Sequence, residues 1–209
     1  MKTEAPRDTR VMEIVARELT GRFVRLEPLE ERHREPLRAA ADDERIWEHT
    51  VSVAEGPGFD EWFRGALTLR DRGHEIPFAV RLDARGRVVG STRLLNPVPR
   101  HKRVEIGATW YCPDVWGTVV NIECKLLLLG HAFEVAGANR VELCTDLLNR
   151  RSQAAIAKLG AVREGVLRAH MVVRDGRLRD SVLFSITRTE WPGVKAKLEV
   201  ILDRARVPA

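Results

Sequence analysis

The chain has 209 residues, 44% hydrophobic and 31% charged, with 35 Lys+Arg against 30 Asp+Glu and a formal net charge of +5, which fits one soluble domain with a substantial core. No apolar run approaches a membrane span and the opening MKTEAPRDTR lacks a secretory signal, so a cytoplasmic protein without a membrane partner is expected. The basic residues are interleaved with acids, without a dense tract or an aromatic RNA-binding motif; that excludes a specific nucleic-acid reader, while mild positive charge suits an anionic cofactor or substrate.

Residues before about Val11 read as a loose tail, and the domain is expected over 19–209 with 1–18 as an N-terminal tail or extension. Residues 22–26, RFVRL, alternate as a strand. Residues 30–41 have a helical pattern, and Phe59, Trp62, Phe63, Ala66, Leu67 and Leu69 recur at helical spacing up to a stop at Gly73. The stretch 50–58 between them reads as a loop. A hairpin follows, 76–82 and 87–95 around Asp83-Ala84-Arg85-Gly86, then a loop at 96–102 with two prolines. The strand Arg103–Tyr111, RVEIGATWY, is expected to place Glu105, Gly107 and Thr109 on one face and Val104, Ile106 and Ala108 on the other.

The second half alternates: a helix over 118–135 ending near Gly137, a strand over 139–145, and a helix over 150–159 with Asn149 as N-cap and Gly160 as its stop. A hairpin, 167–173 and 179–186, turns at Asp175-Gly176, and an amphipathic helix over 189–204 carries Pro192 in its first turn. Cys112, Cys124 and Cys144 have no metal-ligand spacing, and their odd number argues against a disulfide framework; they read as small buried thiols, with no metal expected. The expected fold class is α/β (α+β), one domain with a mixed, mostly antiparallel sheet.

The most informative stretch is TWYCPDVWGTVVNIECKLLLLG. An apolar strand ends at Cys112-Pro113, a turn forms at Trp116-Gly117-Thr118, and a helix starts. Bare N–H groups at a helix start, with the positive end of its dipole, suit a phosphate. An ordinary tight turn into a core helix is the competing reading. The pattern is neither the dinucleotide glycine motif nor a P-loop.

Four segments together carry a family likeness: GRFVRLEPL, VEIGATW, WGTVVNIECKLLLLGHAFE and TDLLNRRSQAAIAKLGAVREGVLR. They resemble the GCN5-related N-acetyltransferase (GNAT) family, in its ribosomal-protein-alanine acetyltransferase-like branch, over roughly 19–191. The resemblance implies a single domain with a splayed strand pair, here Arg103–Tyr111 and 139–145. It implies acetyl transfer from acetyl-CoA to a primary amine, a protein N-terminus or a small molecule, without a metal, and a homodimer at the level of the family. The pantetheine arm would lie in the gap, using free backbone groups as an added strand does.

Carried over position by position, the resemblance puts coenzyme contacts at Trp110 and Tyr111 of the strand and at Trp116, Gly117, Thr118, Val119, Val120 and Asn121 of the turn. Asn149 would contact the pantetheine arm as well as cap its helix, and Ser152 would serve the coenzyme sulfur. Glu105 is the candidate general base, directly or through a water; a strand carboxylate in a salt bridge is the alternative. Ser152 is otherwise a routine first-turn serine. The family's turn has Arg or Gln, two variable residues, Gly, one variable residue, then Gly or Ala. Here Asp114, Gly117 and Val119 stand in those places, so Gly117 alone matches, and weaker phosphate binding is expected. His131 is expected to pack or to lie on the surface, His49, His74 and His170 are minor cleft candidates, and Trp47, Trp62 and Phe59 wall the acceptor site or fill the core. A ligand-sensing module that keeps the fold, and an acyltransferase for a larger acyl-CoA such as succinyl-CoA, are the rival functions.

Overall fold

The computed structural model describes residues 11–83, 86–173 and 176–205; Ala84, Arg85 and Asp175 of the two expected hairpin turns lie outside them. Eight strands form one sheet in the order β1-β2-β3-β4-β5-β6-β8-β7. The strands are β1 (Leu19–Thr20), β2 (Val24–Pro28), β3 (Glu75–Leu82), β4 (Val88–Val98), β5 (Arg103–Tyr111), β6 (Arg140–Asp146), β7 (Val162–Val172) and β8 (Leu178–Thr187). All neighbours run antiparallel except β5 and β6.

The helices are α1 (Arg34–Ala41), α2 (Phe59–Asp71), α3 (Val120–Gly130), α4 (Arg150–Leu159) and α5 (Trp191–Asp203). None in the described residues is long and apolar enough to cross a membrane. The expected class, α/β with one mixed, mostly antiparallel sheet, is what the chain adopts. A continuous apolar core joins one sheet face, through Val104, Ile106, Val141 and Phe184, to Leu128, Ile156 and Leu198 of α3, α4 and α5. The other face carries a separate cluster in which Leu37 and the α2 side chains Phe59, Trp62 and Phe63 enclose Trp47 and Trp110. Trp110 meets Trp47 at 5.2 Å and Trp62 at 5.6 Å between ring centroids, in tilted and edge-on geometry favourable to aromatic pairs. Of the two roles open to Trp47, Trp62 and Phe59, core packing holds: all three are buried.

Three expectations are corrected, the first being that the hairpin strand expected over 167–173 begins already at Val162 and ends at Val172. Residues 96–98 are not loop, because β4 continues to Val98 before a 3-10 turn, Pro99–His101. The prolines fit because Asn96, at φ 49°, sits in a break of register between Leu95 and Val98, where no ladder N–H is required. Thr109 does not share the face of Glu105 and Gly107. Ala108 adopts φ 45° and the β4–β5 register shifts between Ser91 and Arg93. The extra residue of that bulge inverts the alternation. Thr109 therefore points to α3, where its hydroxyl meets Thr92 at 2.7 Å and Lys125 Nζ at 2.7 Å, and Trp110 takes the face of Glu105.

α3 is tied to the first strands by Glu123. Its carboxylate accepts the N–H groups of Arg22 at 2.8 Å and of Phe23 and Val24 at 2.7 Å each. The upstream segment also packs here: Met12 is buried, and His131 Nε2 donates to the Val15 carbonyl at 3.0 Å. His131 is thus a packing residue rather than a surface one. Beyond α3 a π-helical turn, His131–Val135, leads to Gly137 at φ 81°.

Candidate functional site

β5 and β6 pair only over Arg103–Glu105 with Arg140–Glu142. Beyond Glu105 the ladder stops and the strands part. The bulge at Ala108 turns β5 toward β4, and the chain then leaves β5 through a 3-10 turn, Pro113–Val115, into α3. The facing edges of β5 beyond Glu105 and of β6 beyond Glu142 are left unpaired, and the cleft between them is the candidate site.

At the wide end lies the glycine turn. Gly117 has φ 74°, and a Cβ there would meet nothing within 4 Å, so it is glycine for its backbone angle and not for want of room. Thr118 bonds back to Val115 through its hydroxyl at 2.7 Å, and the same oxygen accepts the Val120 N–H at 3.3 Å. Among the described residues, the N–H groups of Gly117, Val119, Asn121 and Ile122 have no hydrogen-bond partner. These are orphan donors at the positive end of α3, the arrangement that receives an anion.

The sequence-expected residues divide. Trp116 spans the site: its Nε1 donates to the Tyr111 carbonyl at 2.8 Å, and the Arg151 guanidinium stacks on its ring at 3.6 Å. That contact joins the α3 turn to the start of α4. Tyr111 is buried and donates its hydroxyl to Asn121 Oδ1 at 3.3 Å; burial pushes its pKa well above the ordinary tyrosine value. The Val120 side chain is wholly buried in the core. The Trp110 ring lies on the Glu105 face of the sheet, in the aromatic cluster with Trp47 and Trp62, against which Trp116 also packs. Asp114 is turned to Arg87, with which it forms an ion pair, and its carboxyl is held below the usual range by hydrogen bonds from Cys112 and then Arg87. Its charge is therefore already answered.

Asn149 caps α4 as expected, with Oδ1 accepting the Ser152 N–H at 2.9 Å, and Gly160 ends the helix at φ 101°. The Ser152 hydroxyl and the Asn149 side-chain NH2 make no hydrogen bond to the described residues. Glu105 sits at the narrow end, at the last paired position of β5. Its carboxylate borders the bare Gly107 backbone, where an added Cβ would lie 3.2 Å from Oε1. Desolvation raises the Glu105 pKa. The Asn96 amide at 3.4 Å opposes that rise, nearby Glu142 adds to it, and Arg179 and Arg103 oppose it. A carboxyl with a raised pKa at the apex of a cleft is a candidate proton acceptor.

His74 and His170 are exposed and His49 half-buried, His170 lying on the exposed edge strand β7. Among the described residues no group of three or more His, Cys, Asp or Glu could hold a metal ion. Cys112 and Cys124 are buried and Cys144 is partly buried, as free thiols.

Three residues escaped the sequence reading. Arg151 was one of 35 basic residues, and nothing local showed that its guanidinium meets Trp116. Glu123 resembled an ordinary acid in a first helical turn. Lys125 left a trace: it falls three residues after Ile122 and four before Leu129, so it shares their buried face. It is 5% exposed, hydrogen-bonded only to Thr109 and Thr92, and desolvation pushes its pKa down to about 8.

The family model described as Acetyltransferase (GNAT) domain matches residues 24–162. A protein of Bacillus subtilis (strain 168) named as a ribosomal N-acetyltransferase, YdaF, is 31% identical over 111 residues, which are 53% of this chain and 59% of that protein. Among solved structures, an acetyltransferase structure from T. thermophilus is 38% identical with a TM-score of 0.82, covering 91% of this chain and 100% of that one. A GCN5-related N-acetyltransferase from Brucella melitensis is 31% identical with a TM-score of 0.81, covering 89% and 85%.

Proposed function

Because the chain belongs to the GNAT acetyltransferase family, we propose that it moves an acetyl group from acetyl-CoA to a primary amine, on a protein N-terminus or a small molecule. The observation that carries this reading is the cleft where β5 and β6 part, with Glu105 at its apex and four orphan N–H groups at its mouth. The donor set fits the coenzyme. The N–H groups of Gly117, Val119, Asn121 and Ile122 would hold the pyrophosphate, and Arg151 on Trp116 would supply the positive charge that the family's turn carries where Asp114 stands here. The branched Val119 leaves that cradle in place, since its contribution is backbone. The free edges of β5 and β6 would pair with the pantetheine amides, aided by the Asn149 NH2.

The chemistry follows from what the transferred group needs. The amine must be neutral to attack the thioester carbonyl. The proton it sheds on forming the amide would go to Glu105, directly or through one water, and the departing thiolate would take a proton from the Ser152 hydroxyl, which regains one from solvent as Glu105 gives its own up to solvent. A Glu105 carboxyl with a raised pKa is a stronger base once ionised than an ordinary glutamate. The position of Glu105 in the β5–β6 ladder supports this role over that of a structural ion pair, since no basic side chain lies within salt-bridge distance of it among the described residues.

The experiment is a screen of small amines and N-terminal peptides with acetyl-CoA, read by product mass, followed by Glu105→Gln on the best acceptor. Loss of turnover by about a hundredfold or more at neutral pH, with coenzyme binding and melting temperature preserved, is the expected result. Near-normal turnover removes Glu105 from the mechanism.

A further inference from the structure

Counted from the β5–β6 pairing, Glu105 shares a sheet face with Glu142, Cys144 and Asp146 of β6, opposite Ser185, Leu183 and Ser181 of β8. Arg179 continues that row on β8. It is 7% exposed, and its Nε donates to Ser181 Oγ at 2.9 Å. The other charges here are matched. Glu142 is paired with Arg103 and Arg140, each at 2.9 Å, and Asp146 with Arg177 at 2.7 Å. Among the described residues no carboxylate lies within salt-bridge distance of Arg179, yet its charge reaches Glu105, Cys144 and Asp146. Among the described residues its terminal nitrogens meet only the Cys144 thiol, a weak acceptor, and they are not sealed from solvent, unlike the orphaned nitrogens of Arg93 and Arg188.

An arginine withdrawn from bulk water keeps five donors in a planar fork that matches a carboxylate. Leaving most of them unused is costly unless a ligand uses them. We propose that Arg179 is a specificity-determining residue that binds a carboxylate carried by one of the two substrates, beside Glu105. This rests on the acetyl-transfer reading and narrows it: either the acceptor is an amine that also bears a carboxylate, or the acyl group does. A neutral pocket would not distinguish such substrates from their amides, whereas a buried guanidinium does so strongly.

Paired substrates test this with the wild type, Arg179→Gln and Arg179→Lys. One arm uses acetyl-CoA and compares peptides beginning with Asp or Asn, and glycine with glycinamide. The other arm uses the Asn peptide and compares succinyl-CoA with acetyl-CoA. The expected result is a kcat/KM ratio favouring the carboxylate by about tenfold to a hundredfold in one arm, the scale of a charge-assisted pair. That ratio should collapse toward one in Arg179→Gln and persist in part in Arg179→Lys. The arm that shows it identifies the source of the carboxylate. Ratios near one in both arms, or a ratio untouched by Arg179→Gln, overturn the inference. So does a variant that melts earlier and slows every substrate equally. Calorimetry with acetyl-CoA separates the failures. A wild type that binds the coenzyme but shows no preference overturns the role of Arg179 alone, and one that binds no coenzyme overturns acetyl transfer and this inference with it.

Discussion

Replacing Lys125 with Met tests the least expected feature of the core. The ammonium is buried between α3 and the sheet, and two threonine hydroxyls are its hydrogen-bond partners. Hydroxyls solvate a cation but do not neutralise it, so desolvation pushes the lysine pKa down to about 8. In the unfolded chain the same group titrates near 10.4. Between those values the unfolded chain holds a proton that the folded chain has released, and stability rises with pH. The gain is complete above the upper value and is lost as pH falls through the lower one. Each pH unit in that window is worth about 1.4 kcal/mol, so the interval adds about 3 kcal/mol. Met keeps the length and apolar stem without a proton to exchange. Thr92 and Thr109 still bond each other at 2.7 Å, so neither hydroxyl is stranded. Urea unfolding of wild type and Lys125→Met from pH 7 to pH 10, followed by circular dichroism, should show wild type gaining about 2.5 kcal/mol on the variant, the part of the window that lies below pH 10. The Cys124 thiol, pushed up to about 12 by burial, lowers stability as pH rises, but it does so in wild type and variant alike and drops out of the difference. A stability difference that stays flat across the range refutes the buried cation.

Glu123→Gln replaces one carboxylate oxygen with an NH2 facing the backbone donors of residues 22–24; a loss of about 2 kcal/mol and faster amide exchange at Phe23 and Val24 are expected, checked by denaturation and hydrogen exchange. Gly117→Glu adds bulk and negative charge where the orphan N–H groups converge, and the φ of 74° strains any side chain there; calorimetry should find coenzyme binding abolished, with about 1 kcal/mol lost in stability. Arg151→Ala should weaken coenzyme binding about tenfold at low salt and less at high salt, because the charge acts on a solvent-facing phosphate. For Glu105 the raised pKa sets the direction of the rate profile: turnover of wild type should fall as pH drops through a value above the usual carboxylate range, and the limb should vanish in Glu105→Gln, measured by steady-state rates.

The sequence alone determined what depends on neighbours along the chain. Asn149 and Gly160 bracket α4 because a side-chain cap and a left-handed stop act within one turn. Gly117 marks the bend because only backbone freedom allows it. The apolar period of β5 and the helical stripe of α2 reveal their buried faces. The family likeness covered nearly the whole chain because such local signals recur in one order. Tertiary structure decided the rest. The bulge at Ala108 inverted the face of Thr109, since a single positive φ on an alanine leaves no mark in the residue pattern. Arg87 neutralised Asp114 across 27 residues of chain. Arg151 and Arg179 look like any surface base in the sequence, and Lys125 shows only its place on the apolar face of a helix; their distinct environments arise when distant strands and helices close around them. Charge is written in the sequence, but its partners and its exposure to water are set by packing.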